Sequence, residues 1–252
     1  MATLDVFLFP YMSDNYGVLL HNKDTLETAL IDAGDASAAL GALKQHGWSL
    51  THLLLTHHHA DHIAGMHEIK TQTNCECYGP EGISGVEKVL SGGDCLVFAG
   101  SEVQVLHTPG HTMDMLNFYL PDQSLAFTGD TLFTLGCGRL FEGDAATMWN
   151  SLSKLIALPS DTWIYGSHEY TQANAKFALS VDPNNKALQQ RASEINELRA
   201  NDKPTVPSKL SDELKTNPFL RPDDVGIRAL LDMQNASDEA VFAEIRKLKD
   251  NF

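Results

Sequence analysis

Short apolar runs broken by turn residues fill the first two thirds of the chain. Runs at residues 6–9, 16–20, 29–31, 52–55, 103–107, 115–120 and 125–127 have the length and composition of strands. Between them, residues 36–45 place alanine and leucine at helical spacing and stop at His46-Gly47, a helix C-terminal signal. Residues 148–156 repeat the helical pattern, with Pro159 just beyond. Strands mixed with helices predict an α/β protein with layered sheets.

After Trp163-Ile164-Tyr165-Gly166 the pattern changes. Alternating β-branched runs almost vanish, and residues 173–181, 186–200 and 237–249 read as helices separated by the Pro-containing stretch 203–222. The expectation is a boundary near residue 170, with an α/β domain over 1–170 and a helical domain over 171–252.

Composition narrows the functional classes. Apolar residues at 43% and charged residues at 20% suit a packed core and exclude wholesale disorder. Eighteen Lys and Arg against 33 Asp and Glu give a net charge of −15, which disfavours nucleic acid as a partner. The same excess repels anionic small molecules, so any that bind must meet fixed cations locally. No apolar run approaches the roughly 18–20 residues of a membrane helix. Residues 1–10 lack a basic region, a long apolar core and a small-residue cleavage site. Cys75, Cys77, Cys95 and Cys137 form no CxxC pair and are too few for a disulfide framework. A cytoplasmic monomer with no membrane partner is expected.

The chemistry concentrates in Thr56-His57-His58-His59-Ala60-Asp61-His62, which follows the apolar Leu53-Leu54-Leu55. In an extended segment His57 and His59 share a face while His58 points away. Imidazole and carboxylate donors at this density suit zinc, iron or manganese. Three more candidates each end an apolar run beside a Gly-bearing turn: His111 in Thr108-Pro109-Gly110-His111, Asp130 in Thr128-Gly129-Asp130, and His168 in Gly166-Ser167-His168. Seven donors exceed the needs of one tetrahedral ion and divide into two sites. If Asp130 bridges, one metal takes His57, His59 and His111 and the other takes Asp61, His62 and His168. The set contains no cysteine, which favours an open catalytic site over a closed structural one.

The HxHxDH segment with the downstream His, Asp and His in this order resembles the metallo-β-lactamase superfamily. That resemblance implies an αββα sandwich with a dinuclear site at one edge of its sheets. Within the superfamily the chain is similar to the glyoxalase II, or hydroxyacylglutathione hydrolase, family. The similarity rests on Ser13-Asp14-Asn15-Tyr16, Gly129-Asp130-Thr131-Leu132-Phe133 and Gly136-Cys137-Gly138-Arg139-Leu140-Phe141-Glu142-Gly143. It rests also on Gly166-Ser167-His168-Glu169-Tyr170-Thr171, Thr216-Asn217-Pro218-Phe219-Leu220-Arg221 and the terminal Arg246-Lys247-Leu248-Lys249-Asp250-Asn251-Phe252. The resemblance implies two divalent metals per chain, zinc first with iron or manganese as alternatives. It implies hydrolysis of S-(2-hydroxyacyl)glutathione, chiefly S-D-lactoylglutathione, to D-lactate and glutathione, the second step of methylglyoxal detoxification. The nucleophile would be a hydroxide held by the metal pair, its pKa lowered toward about 7, with Asp61 orienting it.

The family also implies glutathione contacts from Arg139, Tyr170, Arg246 and Lys249. Phe141 stands where some members have a tyrosine that contacts the glycine end of glutathione, so that hydroxyl is missing. Arg246 and Lys249 are spaced i, i+3, which puts both cations on one side of the last helix, while Phe242, Ile245 and Leu248 supply an apolar stripe. The competing reading of the two cations is a solvated helix end that complements the helix dipole. The rival function is a mononuclear iron dioxygenase acting on glutathione persulfide, which needs only two histidines and one carboxylate.

Overall fold

Strands β1 (Leu4–Tyr11), β2 (Asn15–Asn22) and β3 (Thr28–Ile31) pair antiparallel. Helix α1 (Ala36–His46) follows, capped by the Asp35 side chain, which accepts from the Ala38 amide. It ends at Gly47, whose left-handed φ of 67° explains the His46-Gly47 stop signal. Then come β4 (His52–Leu54), α2 (Ala60–Ile63), α3 (Met66–Thr73), β5 (Glu76–Gly79) and β6 (Lys88–Val89). β4 and β5 add to β3 in parallel through the crossovers that α1 and α2–α3 supply, and β6 adds in parallel to β5 after the helix-free stretch 80–87. The computed structural model describes residues 4–252; residues 1–3, part of the stretch read above for a leader, lie outside the described residues.

By internal contacts the chain divides into two compact units. The first runs up to His107 and includes Asp114–Gly129; the second comprises Thr108–Met113 and Asp130–Phe252. In the first unit a second sheet forms from β7 (Cys95–Phe98), β8 (Ser101–His107), β9 (Leu116–Leu120) and β10 (Leu125–Gly129), paired antiparallel in that order.

Burial explains why the central strands read as continuous apolar runs: both faces are covered. Leu53 and Leu55 pack with Leu43 of α1 and with Met66 and Ile69 of α3. Leu54 alternates to the opposite face and is 1% exposed. On that face the His52 ring meets Phe98 of β7 edge-on at 5.3 Å, so the two sheets look at each other there.

The second unit contains the hairpin β11 (Leu132–Phe133) and β12 (Gly136–Cys137), then α4 (Ala145–Ile156) and β13 (Trp163–Gly166). Helices α5 (Thr171–Val181) and α6 (Lys186–Ala200) precede β14 (Ser208–Lys209), and α7 (Leu210–Thr216), α8 (Val225–Leu230) and α9 (Asp238–Asp250) complete the chain. Part of its core is aromatic, beside an aliphatic cluster of Leu135, Ala175, Ala178, Leu188, Ala192 and Ile195. Trp149 of α4 packs on Phe242 of α9 at 5.8 Å, Phe242 on Phe219 at 6.1 Å, and Phe219 on Phe177 of α5 at 5.8 Å. Ser237 caps α9 by accepting from the Ala240 amide. Val241, Phe242 and Ile245 are fully buried, each contributing about 1.5–3 kcal/mol.

The expected α/β class is correct, and elements the pattern missed share a cause. β5, β6 and β14 span two to four residues and carry Glu76, Lys88 and Lys209. α7 and α8 lie in or just after the Pro-containing separator and span only seven and six residues. Segments this short depend on tertiary contacts rather than their own periodicity.

Candidate metal centre

The first group of donors sits where β4 ends and α2 begins. The chain leaves the sheet at Thr56, whose carbonyl accepts from the Leu116 amide at 2.8 Å. His57 and His62 are fully buried, while His59 and Asp61 are half-buried. The His57 ring lies 4.7 Å from that of His59 and 4.1 Å from that of His62, and His62 Nε2 is 3.3 Å from Asp61 Oδ2. His58 turns outward as the alternation predicts; its side chain is 44% exposed and its Nδ1 lies 3.0 Å from Asp114.

One buried carboxylate sets the orientation of two of these rings. Asp32 accepts from the Thr56 amide at 2.8 Å and from the Thr56 hydroxyl at 2.9 Å, and its Oδ2 lies 2.8 Å from His62 Nδ1. The Thr56 hydroxyl gives its proton to Asp32, so its oxygen accepts from His57 Nδ1 at 2.9 Å. Both imidazoles therefore donate through Nδ1 and present Nε2 as the lone-pair donor. Asp61 is held separately: Asn15 Nδ2 donates to Oδ2 at 3.0 Å, and the Tyr11 hydroxyl to its carbonyl at 2.9 Å. Gly34 is required beside it, since a Cβ there would fall 1.8 Å from the Asp61 carbonyl oxygen.

The second group comes from three separated segments. His111 sits on the turn after Gly110, where φ is 145°, and is 4% exposed. Its Nδ1 donates to the Arg139 carbonyl at 2.8 Å. A carbonyl only accepts, so His111 too presents Nε2, which lies 3.3 Å from Asp130 Oδ2. The other oxygen of Asp130 is 3.3 Å from His168 Nε2. His168 follows β13 and is 4% exposed, its ring stacked on Tyr170 at 4.6 Å with only 3° between planes.

The residues fit divalent metals. His57, His62 and His111 are each fixed through Nδ1 by an oxygen acceptor, the arrangement that sets tautomer and ring plane in metal-ligating histidines. Asp130 turns one carboxylate oxygen to His111 and the other to His168, so this carboxylate could serve two ions. Asp32 was missed by sequence reading although its signal existed. It directly follows the apolar run 29–31, much as Asp130 follows 125–127 after Thr128-Gly129.

The five residues assigned to glutathione differ in exposure. The Arg139 side chain is 57% exposed and 3.4 Å from Asp250. Phe141 is 62% exposed with its ring edge-on to His111 at 5.2 Å, and Tyr170 is 39% exposed. Arg246 is only 5% exposed. Its guanidinium donates to the Cys137 carbonyl at 3.0 Å and to Asp250 at 2.8 Å, above the Phe219 ring. A solvated helix end is therefore excluded for Arg246. Lys249 is half-buried, near the rings of Phe177 and Phe252, and donates to the Ala173 carbonyl at 3.3 Å. Burial, with the nearby Arg246 charge, holds its ammonium pKa below the usual lysine value.

Residues 169–252 match the model of the hydroxyacylglutathione hydrolase C-terminus, and residues 15–83 and 78–168 match the metallo-beta-lactamase superfamily. The chain is 52% identical over 253 residues to the hydroxyacylglutathione hydrolase of Brucella ovis, covering 99% of this chain and 98% of that one. The Brucella canis hydroxyacylglutathione hydrolase is equally similar and is covered to 97%. Among solved structures, ETHE1 from Myxococcus xanthus superposes with a TM-score of 0.70 at 24% identity, over 97% of this chain and 90% of that one. The BLEG-1 B3 metallo-beta-lactamase superposes with a TM-score of 0.65 at 21% identity, over 87% of this chain and all of that one. These two likenesses show the fold alone.

Proposed function

The chain belongs to the hydroxyacylglutathione hydrolase family of the metallo-β-lactamase superfamily, and from that premise we propose that it hydrolyses S-(2-hydroxyacyl)glutathione, with S-D-lactoylglutathione as the foremost substrate. The products are a 2-hydroxy acid and glutathione. His57, His59 and His111 hold one divalent metal, Asp61, His62 and His168 hold the other, and Asp130 is shared. Support comes from the donors within each group: His62 Nε2 lies 3.3 Å from Asp61 Oδ2, and the Nε2 atoms of His111 and His168 each lie 3.3 Å from an oxygen of Asp130. Zinc is the proposed metal, and the same donors accept iron or manganese.

When bound, such a metal pair polarises a carbonyl and lowers the pKa of water. The protein's own residues do the rest. Asp61, its Oδ2 fixed by Asn15, would orient the attacking hydroxide. Asp32 keeps His57 and His62 turned so that neither ring nitrogen competes for that water. The departing thiol has a pKa near about 8.5–9, so it leaves as thiolate without a dedicated acid. Exposed Arg139 and Tyr170 and half-buried Lys249 offer contacts for glutathione's carboxylates and backbone, with the buried Arg246 beside them. Phe141 presents an apolar ring where a hydroxyl would otherwise contact the glycine end.

The persulfide dioxygenase reading is set aside by the 52% identity to hydroxyacylglutathione hydrolases over 99% of the chain. We place the division between catalytic and recognition regions at residue 170, supported by the two family models meeting at residues 168 and 169. No described helix is long and apolar enough to cross a membrane; a cytoplasmic monomer without membrane or nucleic-acid partners remains our proposal. The observation that carries the reading is Asp130, whose two oxygens face two different histidines in a chain of this family. The test is metal content per chain together with turnover of S-D-lactoylglutathione. Two metals and turnover support it; a single iron with oxygen consumption on glutathione persulfide sinks it.

A further inference from the structure

The hairpin β11–β12 has two paired residues per strand, Leu132 with Cys137 and Phe133 with Gly136, too few to hold a fixed shape alone. Both of its ends lie in the second group of metal donors. Asp130 precedes β11, and beyond β12 the Arg139 carbonyl orients His111. Gly138 is packed so closely there that a Cβ would sit 1.9 Å from the Asp130 carbonyl oxygen. The hairpin's shape therefore decides where Asp130 and His111 point.

That shape is held from the helical part of the chain. Asn217 Nδ2 donates to the carbonyls of Phe133 at 3.3 Å and Gly136 at 3.1 Å. Glu213 accepts from the Leu135 amide at 2.8 Å, where Leu135 takes a left-handed φ of 57°. Asn174 donates to the Thr134 carbonyl at 3.1 Å, and Arg246 to that of Cys137. Asn217 and Glu213 are fully buried, bonded to each other at 3.0 Å, and Arg191 pairs with Glu213 from α6. Fully buried polar side chains spent on the backbone of one short hairpin are costly unless that geometry is needed.

We infer that Asn217, Glu213, Asn174 and Arg246 are positioning residues for the metal centre, so that the C-terminal region sets metal affinity through the 132–137 hairpin as well as contacting substrate. The inference rests on the proposed assignment of Asp130 and His111 as ligands. It separates two roles of one region: Lys249 acts on the substrate, while Asn217 acts on the ligands without touching either.

The experiment titrates metal-free full-length protein with Zn²⁺ and, separately, with Co²⁺, for wild type, Asn217→Ala and Asn174→Ala. Thermal melting and steady-state kinetics are recorded alongside. Loss of a group that orients ligands typically weakens metal binding about 10- to 100-fold, and that is the expectation for Asn217→Ala. Its Co²⁺ visible bands should shift or weaken, and kcat should fall at saturating substrate while KM stays within about threefold. Asn174→Ala removes one bond and should show the same changes, smaller. A folded Asn217→Ala chain with wild-type Zn²⁺ affinity and Co²⁺ bands overturns the inference, even if its melting temperature drops. Should Asn217→Ala fail to fold, the folded Asn174→Ala chain decides by the same measures. Wild-type uptake of only one Zn²⁺ would instead sink the dinuclear assignment, and the brace would be judged on that one ion.

Discussion

The two groups of donors are built by opposite strategies. His57, His59, Asp61 and His62 lie within six positions, and a single side chain from the neighbouring strand end, Asp32, orients two of them. His111, Asp130 and His168 span 58 positions and are steadied by backbone: the Arg139 carbonyl for His111, and for Asp130 a hairpin held by helices far along the chain. The first group is compact in sequence because a strand-to-helix turn can aim several side chains at one place. The second places one carboxylate, proposed above to be shared by two ions, between two histidines, which no local segment can do, so its precision comes from tertiary braces.

The largest test of this contrast is the shared carboxylate. Asp130→Ala should lower metal content to one ion or fewer per chain and cut kcat by about 10³-fold or more, checked by metal analysis and steady-state turnover. Asp32→Ala comes next. It strips the acceptor from Thr56 and His62, so Zn²⁺ affinity should fall about 10- to 100-fold without loss of any ligand. If Asp32→Ala leaves affinity intact, the first group needs no orienting partner and the comparison fails on that side.

A third prediction probes the recognition face, which should be separable from both groups. Lys249→Ala should raise KM about 5- to 30-fold with kcat nearly unchanged, and a thioester lacking carboxylates should show no such penalty. The pH dependence follows from the lowered ammonium pKa. As pH rises through that value the charge is lost, so KM should climb before pH reaches the ordinary lysine value of 10.5, and the climb should vanish in Lys249→Ala. The unfolded chain holds this proton more tightly, so the Lys249 contribution to stability grows with pH between the lowered value and 10.5 and is flat near neutrality. A KM flat to pH 10.5 in the wild type would remove Lys249 from the carboxylate site.

The smallest effect is expected at His58. Its exposed ring and its pair with Asp114 contribute at most about 1 kcal/mol, so His58→Ala should keep both metals and activity within about twofold. Metal loss here comparable to that of Asp130→Ala would refute the separation of His58 from its neighbours.

How legible each part was follows from range. Periodicity located β2, β3, β8, β9 and α6 because each is long or apolar enough to declare itself, and the repeated design of apolar strand, turn, then His or Asp marked all seven donors. It passed over Asp32, since a lone aspartate after a strand reads as a turn residue until its partners are seen. Arg246 read as one of two cations on a helix face, because spacing shows the face and not what covers it. Sequence by itself determined the α/β class and the family, both carried by residue type and local order, and it named the donor set proposed above. Only the tertiary structure decided which ring nitrogen His57, His62 and His111 present and that Asp130 divides its oxygens between His111 and His168. It also decided that Arg246 is buried against Cys137 and Asp250 and that Asn217 and Glu213 grip the 132–137 hairpin. These depend on hydrogen bonds between groups up to 109 residues apart, whose geometry is set by packing and not by any local pattern.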